Sequence, residues 1–398
     1  VRREGTKYYN KSDKLLVIFA AMLVVVNTRL LIPDRLDGIG RFTDETLKRI
    51  TQMRPDDHFV FLFDREVDER FIYSENITPV KLFPPARRPW LYSLWLNWSV
   101  NGVLRDLKPD LFYSPDGFLP LKTQTPCLPV IHDLNFEHYP QDLSKKYSKW
   151  YRKNFPLFAQ KGERVLTVSE YSKADIAARY KIETSKIDVV YNAASEAFRP
   201  LDAEAVKAVR EQYSGGAPYF LFVGALHPRK NLVRLVEAFV QYKQKHQTAT
   251  KLLITGAPYW KYHALDSLLA QLPDKKEVVF TGRLSDEELV RITAAAHAVT
   301  YLPYFEGFGI PIVEAMACNV PVLTANVTSM PEVAGDAALY ADPFDVQAIA
   351  AALEQIDNDE TLRTQLIAKA AERTKAFSWQ QSAEKIWQCM EQCVHTNA

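Results

Sequence analysis

Short apolar runs alternate with amphipathic stretches along almost the whole chain, and this pattern limits the architecture more than any other feature. In the first half, strand-sized apolar runs occupy 22–27, 59–63, 110–113, 128–131, 164–168 and 187–191. Helical periodicity falls between them, over 40–53, 90–106, 143–160 and 170–180. In the second half the runs are 219–225, 251–255, 278–281, 298–302, 321–325 and 338–341. Their helical partners are 231–245, 262–271, 286–296, 311–317, 345–356 and 359–375. Such alternation specifies βαβ units and parallel sheets, not a sandwich, a barrel or a helical bundle. Periodicity is poor over 195–217, which holds Pro200, Gly215 and Gly216, so the boundary between two units is placed there. The expectation is an α/β chain of two Rossmann-like domains, 22–200 and 217–375, with 376–398 a helix packing back on the first. Two such sheets in series place a crevice between their carboxyl ends, where doubly wound folds bind ligands.

Residues 1–21 stand apart. Leu15–Val26 is an apolar run of twelve residues behind a charged segment, which is too short to span a bilayer as a helix. No small-residue cleavage site follows it, so a signal peptide is disfavoured. The reading is that Met22 opens the first buried strand and that 1–21 is an extension, with translation from upstream of Met22 as its origin. Hydrophobic residues at 47% and charged residues at 24% exclude a disordered chain. Four cysteines without CxxC spacing exclude a disulfide scaffold or a zinc ribbon and make a reducing, cytoplasmic compartment the default. The net charge of +1 hides an asymmetry. Residues 1–200 carry 31 basic against 25 acidic side chains, and 201–398 carry 18 against 23. Different partners are implied for the two halves.

Chemistry concentrates behind two second-half strands. After 298–303 comes Tyr304-Phe305-Glu306-Gly307-Phe308-Gly309-Ile310-Pro311-Ile312-Val313-Glu314. Glycines around a bend and a proline at a helix start leave backbone N–H groups directed outward, an anion site. Carboxylates accept paired hydrogen bonds from vicinal hydroxyls, so Glu306 and Glu314 beside that site suggest a ligand bearing phosphate, ribose and sugar hydroxyls. Taken singly, each Glu is more simply a solvated or helix-capping group. The composite Glu-Gly-x-Gly-x-Pro-x-x-Glu is far more specific. After 219–223, Arg229 and Lys230 precede a helix start for which Asn231 is the expected N-cap. Two cations there would hold a diphosphate and stabilise a departing phosphate without a metal. The plainer reading is a solvated basic turn.

Residues 224–232, the Glu306/Glu314 pair and Ser329-Met330-Pro331-Glu332-Val333-Ala334-Gly335 together resemble the group 1 glycosyltransferases, glycosyltransferase family 4. The resemblance covers about 22–395 and includes FSWQQSAEKIW near the end. It implies the GT-B fold and retaining, metal-independent sugar transfer from a nucleotide sugar, with no cofactor. It also implies roles. Glu306 contacts the donor sugar, Glu314 the ribose, and Arg229 with Lys230 the diphosphate. Backbone groups of Phe308, Gly309 and Ile310 approach the sugar and phosphate. Gly282, Arg283 and Leu284 border the base.

In the first half, Gly38 and Gly40 form a GxG that alone marks only a tight turn. The resemblance places it facing donor phosphates and acceptor. His132-Asp133 ends a strand, where the resemblance sets a histidine against the donor sugar. A lone histidine is more often structural, and Asp133 either orients the ring or caps the next segment. Thr167–Ser172 also matches, with helix capping the preferred reading of Ser172. Two stretches mix basic and aromatic residues. Arg87 and Arg88 precede Trp90, Trp95 and Trp98; Lys145, Lys146, Lys149, Arg152 and Lys153 share a helix with Tyr147, Trp150 and Tyr151. This is the composition of an acceptor or anionic membrane surface, equally well of aromatics packed inward beneath solvated lysines. A protein docked peripherally on the inner face of the membrane would fit. Asp357-Asn358-Asp359 is read as a solvated helix boundary and not as a metal site.

Similarity to the mannosyltransferase branch makes GDP-mannose the favoured donor and a glycan or lipid-linked acceptor of surface polysaccharide the favoured partner. Nucleic acid is not expected. A sugar-nucleotide epimerase and, less favoured, a glycoside hydrolase are the competing activities, because paired carboxylates serve both. The hydrolase would leave Arg229 and Lys230 without a task.

Overall fold

The computed structural model describes residues 22–256, 263–272 and 274–395, so the extension expected at 1–21 lies outside the described residues. The chain forms two compact units, one running to Asn192 and resuming at Trp379, the other Ala193–Ser378.

The first unit carries a parallel sheet in the order β3-β2-β1-β4-β5. Its strands are β1 (Leu23–Asn27), β2 (His58–Phe63), β3 (Ile77–Lys81), β4 (Leu111–Ser114) and β5 (Cys127–Pro129). The pair β6 (Val165–Thr167) and β7 (Ile187–Val189) is joined to it by a bridge from Val130 to Leu166. Val24, Val25 and Val26 are fully buried, as a central parallel strand covered on both faces requires. Edge strand β3 tolerates Pro79 because only an edge can do without that N–H. The helix Trp379–His395 lies against the helix Gly38–Met53. It buries Trp379, Ala383, Ile386, Trp387 and Met390 at helical spacing, and its Ser382 donates to the Tyr191 carbonyl at 2.6 Å.

The second unit carries a parallel sheet in the order β10-β9-β8-β11-β12-β13. The strands are β8 (Tyr219–Val223), β9 (Lys251–Thr255), β10 (Val278–Gly282), β11 (Ala298–Tyr301), β12 (Val322–Ala325) and β13 (Leu339–Ala341). The segment 195–217 is not a simple linker. It contains the helix Ala203–Ser214, capped by Asp202, which accepts from the Ala205 N–H at 2.8 Å, and stopped by left-handed Gly215. Only Val209 and Ser214 are buried on that helix, too narrow a stripe to register as periodicity.

In both sheets the strand order reverses beside the first strand, between β1 and β4 and between β8 and β11. Doubly wound sheets bind ligands at the carboxyl ends of strands flanking such a switch point.

Candidate active site

In the second unit, the loops leaving β8 and β11 flank the switch point and carry the charged cluster. Asn231 adopts a left-handed backbone, φ 62°, and does not cap the following helix with its side chain. Its amide instead donates to the carbonyls of Leu302 (3.1 Å) and Pro343 (2.6 Å), tying the β8 loop to those after β11 and β13. The Tyr304 N–H donates to the Arg229 carbonyl at 3.0 Å, a second tie between the same loops. The Arg229 guanidinium and the Lys230 ammonium both reach the carboxylate of Glu306, which is buried. Lys230 also donates to the Tyr301 phenol. Burial alone would push the Glu306 carboxyl up. Arg229 and Lys230 outweigh it and hold the group below its ordinary range, so it stays ionised. Burial and then the Glu306 charge push the Tyr301 phenol far up, so it remains protonated.

Ser329 donates to the Glu306 carbonyl at 2.9 Å and fixes the loop from behind. Gly309, at φ +98°, turns the chain into the helix Ile310–Ala317, whose first turn holds Pro311. Glu314 is buried on that helix, and Phe308 is buried beside its start. Three further loop ends lie side by side. Gly224 N–H donates to Thr255 at 3.1 Å and Gly256 N–H to Gly282 at 3.0 Å. A Cβ on Gly256 would lie 1.9 Å from the Gly224 carbonyl oxygen. This packing sets Gly282-Arg283-Leu284 in the same row of loops, with Arg283 exposed.

In the first unit, Gly38 and Gly40 belong to the first turn of the helix Gly38–Met53 and not to a separate loop. Gly40 is required by close packing, because a Cβ there would lie 2.9 Å from the Leu30 carbonyl oxygen. His132 follows β5. Its Nε2 is 2.8 Å from the Pro115 carbonyl, and its ring meets Phe42 edge-on at 5.0 Å. Burial pushes its imidazole below the ordinary range, toward the neutral form. Asp133 caps the next segment, accepting from the Asn135 N–H at 2.9 Å. Ser169, not Ser172, caps the helix Glu170–Tyr180, and the Ser172 hydroxyl donates to the His132 carbonyl at 3.2 Å. Capping is therefore the wrong reading of Ser172.

Arg87, Arg88, Lys145, Lys146 and Lys149 are all exposed. The aromatics of the lysine helix, Tyr147, Trp150 and Tyr151, pack on the core of the unit, and Trp150 donates to Ser93 at 3.1 Å. The exposed aromatics belong to the other stretch: Trp90 at 60% and Trp98 at 78%, with Phe83 at 80%. Asp357 is no solvated boundary residue. It is half-buried, with its side chain 8% exposed, and accepts from Tyr242, from Thr250 at 2.9 Å and from Thr248 at 3.0 Å, while Asp359 caps the helix Glu360–Arg373. Tyr301 is the member of the charged cluster that sequence reasoning missed. Its signal was its place as the last residue of β11, five positions before Glu306.

Two Rossmann-like units with an anion-competent charged cluster at a switch point define a GT-B glycosyltransferase. The chain belongs to the group 1 glycosyltransferases: residues 36–197 match the domain "Glycosyltransferase Family 4" and residues 207–373 the domain "Glycosyl transferases group 1". It is 29% identical to O-antigen chain mannosyltransferase B of Escherichia coli over 356 residues, 87% of this chain and 93% of that one. Over 269 residues it is 29% identical to O-antigen chain mannosyltransferase RfbU of Salmonella typhimurium, covering 67% and 70%. Among solved structures, WaaG, a glycosyltransferase involved in lipopolysaccharide biosynthesis, matches with a TM-score of 0.72 at 17% identity, covering 92% and 99%. Anabaena HepE in complex with UDP-glucose matches with a TM-score of 0.73 at 16% identity, covering 93% and 100%. No helix among the described residues is long and apolar enough to cross a membrane.

Proposed function

We propose that this glycosyltransferase moves a hexose, with retention of configuration, from a nucleotide sugar to a glycan or lipid-linked acceptor of a surface polysaccharide. The favoured donor is GDP-mannose. The observation that carries this reading is the buried carboxylate of Glu306 set against the Arg229 and Lys230 cations, with the Tyr301 phenol beside them. Charge of both signs in one cluster suits a ligand that offers hydroxyls on one side and phosphates on the other. Glu306 accepts from the sugar hydroxyls. Arg229 and Lys230 neutralise the diphosphate as it departs, the task a metal performs elsewhere. Glu314 takes the ribose hydroxyls, and the backbone of Phe308, Gly309 and Ile310 approaches the sugar and phosphate. Arg283 and Leu284 border the base, while Gly38 and Gly40 face phosphates and acceptor. His132 serves the sugar. Neither metal nor cofactor takes part.

The relatives named as O-antigen mannosyltransferases support mannose and the polysaccharide setting. The UDP-glucose bound by HepE makes a UDP sugar the competing donor. Calorimetry across GDP, UDP and ADP decides the base: GDP is expected to bind at least tenfold more tightly. Incubation with labelled nucleotide sugars, with and without lipid acceptor, decides the reaction. Sugar should reach the acceptor in unchanged anomeric form and with EDTA present. Product from the nucleotide sugar alone would mean epimerisation, and loss of activity in EDTA restored by manganese would overturn the metal-independent reading. The cytoplasmic, inner face of the membrane is the proposed place of action. Exposed Phe83, Trp90 and Trp98 beside Arg87 and Arg88 support it.

A further inference from the structure

We propose that Asp116 is a positioning residue for His132: a buried polar lock at the end of β4 decides which ring nitrogen of His132 carries the proton. The proposal rests on the assignment of His132 to sugar transfer. His132 Nε2 lies 2.8 Å from the Pro115 carbonyl. A carbonyl only accepts, so Nε2 carries the hydrogen, and Nδ1 of the neutral ring keeps its lone pair. The tautomer is therefore set by where the Pro115 carbonyl points.

Pro115 sits in a turn held from both sides. The Gly117 and Val130 N–H groups both donate to the Ser114 carbonyl, at 3.0 and 2.9 Å. The turn is pressed against the strand that leads to His132. Gly117 has φ +81°, and a Cβ there would lie 2.8 Å from the Val130 carbonyl oxygen.

Asp116 closes the turn. Its Oδ1 accepts from Asn27 Nδ2 at 2.8 Å, from Ser114 Oγ at 3.0 Å and from the Phe118 N–H at 3.2 Å. Its Oδ2 accepts from Arg29 Nε at 2.6 Å. Asn27, Arg29, Ser114 and Asp116 are all buried. The Arg29 guanidinium is itself fixed, 4.3 Å over the Phe118 ring and 4.9 Å over Tyr92. Burying an ion pair is expensive, and a short turn needs none to form. What this pair adds is rigidity, at the carboxyl ends of the two strands that flank the switch point, next to the carbonyl that holds His132.

The test uses the full chain with its donor and acceptor. It combines nitrogen NMR of the histidine rings with kinetics for Asp116→Asn, which keeps shape and removes charge. The expected result is a mixture of ring tautomers at His132 and a kcat lowered tenfold to a hundredfold, the scale of an ångström-level misplacement, with the donor KM changed less than twofold. Ser114→Ala removes the hydroxyl that meets Asn27, Asp116 and the Phe118 carbonyl but leaves the Asp116–Arg29 pair, so it should shift tautomer and kcat the same way by less, which keeps the test open if Asp116→Asn fails to fold. A single Nε2–H tautomer with unchanged kcat in a folded variant overturns the proposal. So does a loss confined to thermal stability. If His132→Ala keeps full activity while Asp116→Asn still mixes the tautomers, the lock stands and the role of His132 in transfer falls.

Discussion

Glu306 gives its carboxylate to Arg229, Lys230 and Tyr301 at once, and that sharing shapes what its loss should do. Glu306→Ala removes the acceptor for sugar hydroxyls but releases two cations. Turnover is expected to fall roughly tenfold to a hundredfold, the worth of a charged hydrogen bond of about 1.5–3 kcal/mol. Affinity for the free nucleoside diphosphate should hold or rise. Arg229→Ala with Lys230→Ala should do the opposite, weakening the diphosphate far more than the nucleoside. Calorimetry checks both, and a parallel loss of nucleotide affinity in the two variants would dissolve the division of labour. His132 gives a pH prediction. Its folded value lies below the ordinary value of about 6.5, so near that pH the folded state binds fewer protons than the unfolded one. Its contribution to stability is complete above about 6.5 and is lost as pH falls toward the folded value. Urea midpoints of wild type and His132→Gln, compared across pH, should therefore diverge in slope only on the acid side of about 6.5. Arg229 with Lys230 and Glu306 with Glu314 were legible as two short motifs, each behind a strand, although 77 positions lie between Arg229 and Glu306 and only the fold joins them. Asn27, Arg29 and Asp116 were not, because 87 to 89 positions separate β1 from β4 and only strand pairing brings them together.

Elements were legible where burial leaves a broad apolar stripe and faint where it does not. The central strands β1 and β8 are continuous apolar runs because both faces are covered. β3 was missed because Ile-Thr-Pro-Val-Lys has neither a run nor a clean alternation, and its edge position accepts the proline. The stretch 90–106 reads as one helix but holds a π turn over Trp95–Val100. Asp357 was misjudged for a related reason: its partners Tyr242, Thr248 and Thr250 lie more than a hundred positions away. Asp357→Ala would leave the buried hydroxyls of Tyr242 and Thr250 without that acceptor. A loss of about 2–3 kcal/mol is expected, read as a lower denaturation midpoint, with little change in nucleotide affinity because the network is not part of the charged cluster. Gly256 shows the converse, an element contact that does serve the site. Its substitution by alanine cannot be absorbed by a side-chain rotation, since the obstacle is the Gly224 backbone at 1.9 Å. The β8 and β9 loops must part, at about 3 kcal/mol, and the turn bearing Arg229 and Lys230 should move with them. Gly256→Ala is therefore expected to weaken nucleoside diphosphate binding as well as stability. Wild-type affinity in calorimetry would show the two loops to be uncoupled.

For the molecule as a whole, exposed aromatic and basic side chains gather on the first unit. The segment 89–100 sets Trp90, Leu94 and Trp98 four positions apart, on one face of a helical path, and all three are exposed, as is Phe83. Arg87 and Arg88 flank them, and the adjacent helix Lys145–Lys161 adds Lys145, Lys146 and Lys149. Tryptophans favour the bilayer interface, and each basic residue near an anionic surface contributes about 1 kcal/mol, falling off within a Debye length. The tryptophans and the three lysines can be changed separately because they lie on different segments. The protein is expected to cosediment with vesicles containing anionic lipid at low salt and not with neutral ones. Changing Lys145, Lys146 and Lys149 to Glu should weaken binding by roughly a hundredfold or more and flatten its salt dependence. Trp90→Ala with Trp98→Ala should weaken it as well but leave the salt dependence intact, because those side chains act by insertion and not by charge. Turnover of a water-soluble acceptor analogue should survive both sets of changes. Absence of cosedimentation at low salt, or binding that survives the triple lysine change, would remove the membrane from the reading and make a soluble acceptor the substrate to look for.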